Sequence, residues 1–442
     1  MTTAPVWLPL AVLLAGIAFG LVLGLPMAFT LGSASVIAAW LFIGPECLSY
    51  IAQNTYGMAR NLILIAMPLF IFMACVLERS GVANALYAAM HQWLGPVRGG
   101  LAIGTVLICT VIAAMSGVTT TGVVTMGLIA LPIMLERGYD KSISIGPILA
   151  GGALGILIPP SCSFIVYGML TRVSIGRLFA GGMIPGLILS FFYVSYIGIR
   201  SFFQSKLAPA LPKAERVSFR QKIILSKGLV LPVLLVTGVL GSIFLGIASP
   251  SEAAAIGAGG AIICAAIHRK LNFKMLKEAC YRTMAVNGMI MWILFGAFCF
   301  SSVFIKTGGS ALVKEMVLGL EVAPIYVVLF MMLIYFAMGC FVDEITIVMI
   351  TVPIFVPILN ELGFSLLWFG VIWMINMQMA YLTPPFGFTL FYMKGVAPKG
   401  VTMGDIYRSI IPFIPLQWIA LLLVMFYPQL ALWLPDAVFK LM

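Results

Sequence analysis

The stretch 151-GGALGILIPPSCSFIVYG-168 decides how this chain is read, because an apolar segment is cut at its most hydrophobic point by Pro159 and Pro160. The cut recurs in 376-NMQMAYLTPPFGFTLFYMKG-395, at Pro384 and Pro385. Proline removes a backbone donor and clashes with the preceding turn, so each pair interrupts a helix. In lipid the freed N–H and C=O groups cannot stay unpaired, and they are tolerated only where they line an enclosed cavity. There, carbonyls coordinate a desolvated cation and half-helix N-termini face an anion. One such pair reads equally well as a simple kink. Two pairs in register favour the cavity.

The register is an offset of 225 residues, which also lays Pro132 on Pro357, Glu136 on Glu361, Gly138 on Gly363 and Tyr167 on Tyr392. The expected architecture is therefore an all-α, polytopic membrane protein built from two repeats. Its repeat units are read as 63–200 and 283–442, with N-terminal helices over 1–62 and a basic loop plus central helices over 201–282. A central pair of spans and an odd number of crossings per unit favour inverted copies. Inverted repeats with helices broken at matching places mark the binding site of a secondary transporter.

Composition agrees with a membrane setting. The 442 residues are 62% hydrophobic and 9% charged, against about 25% charged in soluble domains. At about 20 apolar residues per crossing, the chain has room for roughly ten to a dozen helices. Residues 1–26 lack a basic leader and read as a retained first helix rather than a cleaved signal. The net charge of +11 is topological: seven Lys/Arg lie between Arg200 and Lys227, and a second basic stretch runs from Arg269 to Arg282. Two spans near 229–247 and 252–267 separate these loops, so both face the cytoplasm. A nucleic-acid partner is not implied. Eight scattered cysteines without C-x-x-C, and only two histidines, give no zinc or haem constellation. No phosphate-binding G-x-x-x-x-G-K-[ST] loop is present, so ATP does not drive the chemistry.

Polar residues at membrane depth lie some 40 residues ahead of each break. In 113-AAMSGVTTTGVVTMGLIALP-132, Ser116, Gly117, Thr119 and Thr120 form a turn between two apolar halves, as a re-entrant hairpin tip would. Hydroxyl and carbonyl oxygens there suit a hard cation such as Na+; a small-residue packing face is the plainer alternative. In 336-FAMGCFVDEITIVMITVPIFVPI-358, Asp343 and Glu344 are the only charges. A carboxylate inside a span costs roughly 2.5–3.5 kcal/mol and marks a functional position. Asp343 aligns with Val118 in the first tip and is the favoured cation ligand, whereas Glu344 faces water or a partner and reads first as an interfacial carboxylate. Asn376, Ser161, Ser163, Thr383 and Thr389 flank the breaks and read as cavity lining. The segments 79–100 and 306–324 are moderately amphipathic and read as arms at the interface or as ordinary connecting helices. Ser249 or Ser251 and Glu252 read as a helix cap.

Taken together, 67-MPLF-70, 116-SG-117, 152-GALGILIPPS-161, 249-SPSEAAAIGA-258, G-x-F-x-D at 339–343 and 383-TPPFGFTLF-391 resemble the large membrane subunit of tripartite ATP-independent periplasmic (TRAP) transporters over almost the whole chain. The resemblance implies an ion-transporter-superfamily fold, in which hairpin-bearing inverted repeats form an elevator-type transport domain inside a scaffold. It implies a soluble periplasmic binding protein, a separate small four-helix membrane subunit, Na+ as coupling ion with no organic cofactor, and a small organic anion (carboxylate or sulfonate) as substrate at the inner membrane. Carried over by position, Na+ coordination falls to Ser116 and Thr119 with Gly155 and Ser161, and to Gly339 and Asp343 with Asn376 and Thr383. The substrate cavity falls to Thr120, Pro159, Pro160, Ser163, Pro384, Pro385 and Gly387. Two positions depart from the family pattern: Val118 replaces the third residue of an S-G-S-S tip, and Ala380 stands where glycine is usual before T-P-P. A stand-alone Na+- or H+-coupled transporter of the same superfamily is the alternative. An intramembrane enzyme is remote, since no His or paired Asp supplies a base for a nucleophile.

Overall fold

A computed structural model describes residues 5, 7–319, 322–384 and 386–439. Among these the regular structure is helical throughout. Eight helices are long and apolar enough to cross a bilayer, and seven further apolar helices have only 10–17 residues. The shorter set includes the half-helices beside the first proline break, Lys141–Ile156 and Cys162–Thr171.

The repeat read from the sequence reappears as a repeated order of elements. After a long helix (Leu62–Arg79) comes a first arm, Val82–Leu94, and after the 34-residue helix Phe273–Lys306 comes a second arm, Gly309–Leu318. Each arm starts from a left-handed glycine, Gly81 (φ 80) or Gly308 (φ 82), a conformation that costs glycine nothing. A first hairpin follows (Gly100–Ser116 and Thr119–Glu136), and its counterpart is Pro324–Gly339 and Glu344–Glu361. The two exit limbs match at the 225-residue offset in both start and end, and left-handed Gly138 and Gly363 terminate both. Asp140 and Ser365 then cap the next helices by accepting from Ser142 N and Trp368 N.

The arms lie at opposite ends of the molecule. Arg79 pairs with Glu278, and the side chain of Lys270 packs beside Gly81, so the first arm shares an end with the basic stretches. The second arm begins only after Phe273–Lys306 has risen about 50 Å at 1.5 Å per residue. Its Lys314 pairs with Glu361 at the base of the second hairpin. Arg137, at the base of the first hairpin, pairs with Glu215 of the basic loop at 2.5 Å. The same loop binds the base twice more, through Asp140 N to Leu207 O (2.9 Å) and Gly99 N to Ala208 O (3.1 Å).

The central pair of helices is Phe219–Phe244 and Pro250–Ile267. The first starts about ten residues earlier than hydropathy indicates, because Ser218 and Gln221 form a capping box that carries the helix out into the basic stretch. Ser249 and Glu252 form the second capping box, as expected, with Pro250 at the first turn. Pro250–Ile267 packs on Leu62–Arg79, where a Cβ on Gly257 would come 2.6 Å from Met73 Sδ. Phe273–Lys306 packs on Met27–Phe42 so closely that a Cβ on Gly296 would lie 2.3 Å from Ala28 O. Small residues set these approaches, as in other membrane bundles.

The repeats interlock reciprocally. The exit limb Glu344–Glu361 packs on Cys162–Thr171, the helix after the first break, while Thr119–Glu136 packs on Phe388–Val396, the helix after the second. Such an exchange of equivalent contacts is what a twofold relation between the repeats produces. Thr119, Thr120, Ser163, Glu344 and Thr389 lie on these four helices.

Candidate functional site

At the first break the helix Lys141–Ala153 tightens into a 3-10 turn, Leu154–Ile156, and the chain restarts at Cys162 with Ser161 as N-cap. The Pro159–Pro160 bond is cis. The tip of the first hairpin closes onto this break through backbone alone. Gly117 is left-handed (φ 63), and a Cβ there would stand 2.2 Å from Pro160 O and 3.3 Å from Ser161 Cα. From the other side, a Cβ on Gly155 would stand 2.8 Å from Val118 O. Only glycine admits both approaches. Ser116, Thr119, Gly155 and Ser161 are therefore brought together, with all four buried. Ser116 Oγ donates to Val118 O at 3.4 Å, and Ser161 Oγ accepts from Phe164 N at 3.4 Å. Thr119 is 4% exposed and its Oγ1 has no hydrogen-bond partner. An orphaned buried hydroxyl at the turn where Val118 O meets Gly155 fits a hard cation such as Na+.

The second tip is built differently. Asp343 is the N-cap of Glu344–Glu361, with Oδ1 accepting from Thr346 N (3.0 Å) and Oδ2 from Thr346 Oγ1 (2.5 Å). Gly339 faces Ala380, whose methyl would be 2.6 Å from a Cβ on Gly339. The side chain at position 380 thus occupies the approach that a glycine there would leave open. Asn376 is 1% exposed; its Nδ2 donates to Met332 O at 2.6 Å, leaving Oδ1 buried and unpartnered. Met332 is about two turns from Gly339 along the entry limb, so Asn376 is anchored below the tip. Thr383 donates back to Met379 O at 2.8 Å within its own helix. Thr389 bridges the break by donating to Tyr381 O at 2.7 Å, and Gly387 turns the chain with φ 49. Pro385 lies outside the described residues; Pro384 is half-buried.

Both tips face one cavity of 490 Å³. Its wall takes Gly117 to Thr120 from the first tip and Phe341 to Ile345 from the second, with Cys162, Tyr381, Phe388 and Tyr392 from around the breaks. Val286, Met289, Ile290 and Ile293 of the long helix, with Met27, close the opposite side. Of the residues anticipated for substrate, Thr120 is part of this wall; Pro159, Pro160, Ser163, Pro384 and Gly387 are not among its lining residues.

Glu344 does not face outward as an interfacial carboxylate. Ser163 Oγ donates to its Oε1 at 3.1 Å, Tyr381 OH hydrogen-bonds its Oε2, and Glu344 N donates to Tyr381 OH at 2.6 Å. Asp343, as N-cap, lies outside the helix, and Glu344 is the helix's first residue. Tyr381, a plain aromatic in the sequence, was missed for lack of any periodic signal.

Two capped or closed hairpin tips meeting two broken helices around a shared cavity is the arrangement the sequence motifs implied. The family described as "Tripartite ATP-independent periplasmic transporter, DctM component" matches residues 14–430. The chain belongs to that family. It is 30% identical over 408 residues to the C4-dicarboxylate TRAP transporter large permease protein of Pseudomonas aeruginosa, covering 92% of this chain and 94% of that one. The ectoine/5-hydroxyectoine large permease protein of Ruegeria pomeroyi is 31% identical, with 95% and 97% covered. The isethionate permease protein DctMQ of Oleidesulfovibrio alaskensis is 30% identical over 96% of this chain, which spans 66% of that longer protein. Among solved structures, the YdaH transporter of Alcanivorax borkumensis (TM-score 0.67, 14% identity, 96% of this chain and 98% of that one) and MtrF of Neisseria gonorrhoeae (TM-score 0.62, 15% identity, 96% and 95%) share the fold. This TRAP permease subunit is a multi-pass membrane transport protein and not an enzyme.

Proposed function

We propose that this subunit imports a small organic anion, a carboxylate or sulfonate, together with Na+ by an elevator movement across the bacterial or archaeal inner membrane. The observation that carries the reading is the closure of the first tip on the first break, where Val118 O comes close to Gly155 and the neighbouring Thr119 hydroxyl is buried and unpartnered. Ser116, Thr119, the carbonyls at Val118 and Pro160, Gly155 and Ser161 would hold one Na+. Asp343 and Asn376 Oδ1, with Gly339 and Thr383, would serve a second. A bound Na+ supplies positive charge beside the cavity, where an anion otherwise meets two carboxylates. In the elevator, the hairpins and broken helices move as one body past Leu62–Arg79, Pro250–Ile267 and the long helix Phe273–Lys306. The family's tripartite description and the isethionate relative's greater length support a small four-helix membrane subunit and a periplasmic binding protein as partners.

The test is thermal unfolding of the purified chain in NaCl and in KCl at equal ionic strength. Binding confined to the folded state adds about 2.7 kcal/mol at a hundredfold excess over Kd. A Na+-selective rise in midpoint supports the reading. Equal midpoints, with uptake that follows a pH gradient, replace Na+ by H+ as the coupling ion.

A further inference from the structure

The two tips offer the cavity opposite chemistry. At the first tip, Thr119–Glu136 begins at Val118 without any side-chain cap, so the N–H groups of its first turn are left for a ligand at the cavity wall. At the second tip the wall carries Asp343 and Glu344, and among the described lining residues there is no Lys, Arg or His. Asp343 is committed to Thr346 N–H and Oγ1–H. Glu344 is held by one hydroxyl on each oxygen, from Ser163 and Tyr381, donors that set its position. A carboxylate has about four acceptor positions, so Glu344 keeps acceptor capacity that neither hydroxyl uses. The long helix closing the far side brings only Val286, Met289, Ile290 and Ile293. An anion that is negative at both ends would find donors at the first tip and two carboxylates at the second.

We propose that the substrate of this transporter carries a cationic nitrogen as well as its acid group, and that Glu344 receives the nitrogen while the uncapped first-tip helix receives the acid. The assignment rests on the transport reading above and narrows it to zwitterionic acids. Asp343 remains the helix cap and the Na+ candidate; Glu344 is the specificity residue. Its placement between the repeats has a further consequence. The carboxylate that contacts the substrate is positioned by Ser163 of one repeat and Tyr381 of the other, so recognition requires both tips in place.

The experiment titrates matched probes against the purified full chain in NaCl, reading the concentration that gives half the maximal rise in unfolding midpoint. Taurine is compared with isethionate, in which a hydroxyl replaces the ammonium, and aspartate with succinate, which lacks it. The aminated member of a pair acts at about tenfold lower concentration, equivalent to about 1.4 kcal/mol. Glu344→Gln brings the pair within about twofold while keeping the NaCl-over-KCl difference of the wild type. Equal response within a pair, preference for the member without nitrogen, or no response to either aminated probe overturns the proposal. These wild-type comparisons stand even if the variant fails to fold. If the Na+-selective stabilisation persists, only the substrate class has failed; if that is absent too, the Na+ part of the transport reading fails with it.

Discussion

Ser163 donates to Glu344 Oε1 across 3.1 Å, although the two residues stand on opposite repeats, one just after the first break and the other just after the second tip. Tyr381 completes the contact from the helix before the second break. A hydrogen bond to a charged group is worth about 1.5–3 kcal/mol, so Ser163→Ala and Tyr381→Phe each lower the unfolding midpoint. Because both act on one carboxylate, their effects are non-additive by at least about 0.5 kcal/mol. A double-mutant cycle measures this, and strict additivity would show that the two hydroxyls do not share Glu344.

Gly117→Ala disrupts the first tip. The left-handed backbone costs a non-glycine residue about 1–2 kcal/mol, and the added Cβ would stand 2.2 Å from Pro160 O. Gly138→Ala is the control, with φ 76 and nothing near its Cβ. Both lose the backbone term, but only Gly117→Ala abolishes the NaCl-over-KCl stabilisation. Retention of the Na+ response in Gly117→Ala would separate the ion from the tip.

Thr119→Val preserves shape and removes the buried, unpartnered hydroxyl. An unsatisfied buried polar group costs about 1–3 kcal/mol, so the variant is at least as stable as wild type in KCl. In NaCl it loses most of the Na+-dependent rise. A variant destabilised equally in both salts would make Thr119 a packing residue only.

Asp343 can be tested for charge apart from capping. Asn caps helices about as well as Asp, whereas Ala costs about 0.5–2 kcal/mol. Asp343→Asn therefore keeps the KCl midpoint close to wild type and cripples Na+-dependent uptake, while Asp343→Ala lowers the midpoint in both salts. Wild-type uptake by Asp343→Asn removes this carboxylate from the ion site.

At the base of the first hairpin, the hydrogen bond from Arg137 holds the Glu215 carboxyl below its ordinary pKa. A group with a depressed folded-state pKa contributes stability above its unfolded pKa and loses it as pH falls through the folded value. The clamp over the first hairpin's base therefore loosens only at acid pH beneath the normal carboxylate range. Hydrogen exchange at Arg137 to Asp140 rises there in wild type. Glu215→Gln shows the raised exchange already at neutral pH.

The repeat was legible because proline, glycine and caps act locally. Pro159 and Pro384 lie just past helix ends, Gly138 and Gly363 supply left-handed stops, and Ser249 with Glu252 announces its own cap. The same locality let hydropathy miss the start at Phe219, since a capping box can extend a helix beyond its apolar stretch. Ser116, Thr119 and Asp343 were visible as polar residues out of place in lipid.

The partners of those residues were not visible. Glu344 looks outward from its sequence neighbours, and Tyr381 carries no pattern, yet tertiary packing sets both beside Ser163, 181 residues from Glu344. Local chemistry along the chain determined which backbone groups would be freed and which side chains would be costly in a membrane. Only the twofold exchange of helices between the repeats decided which of them meet, because that depends on close approaches at Gly117 and Gly155 summed over the whole fold.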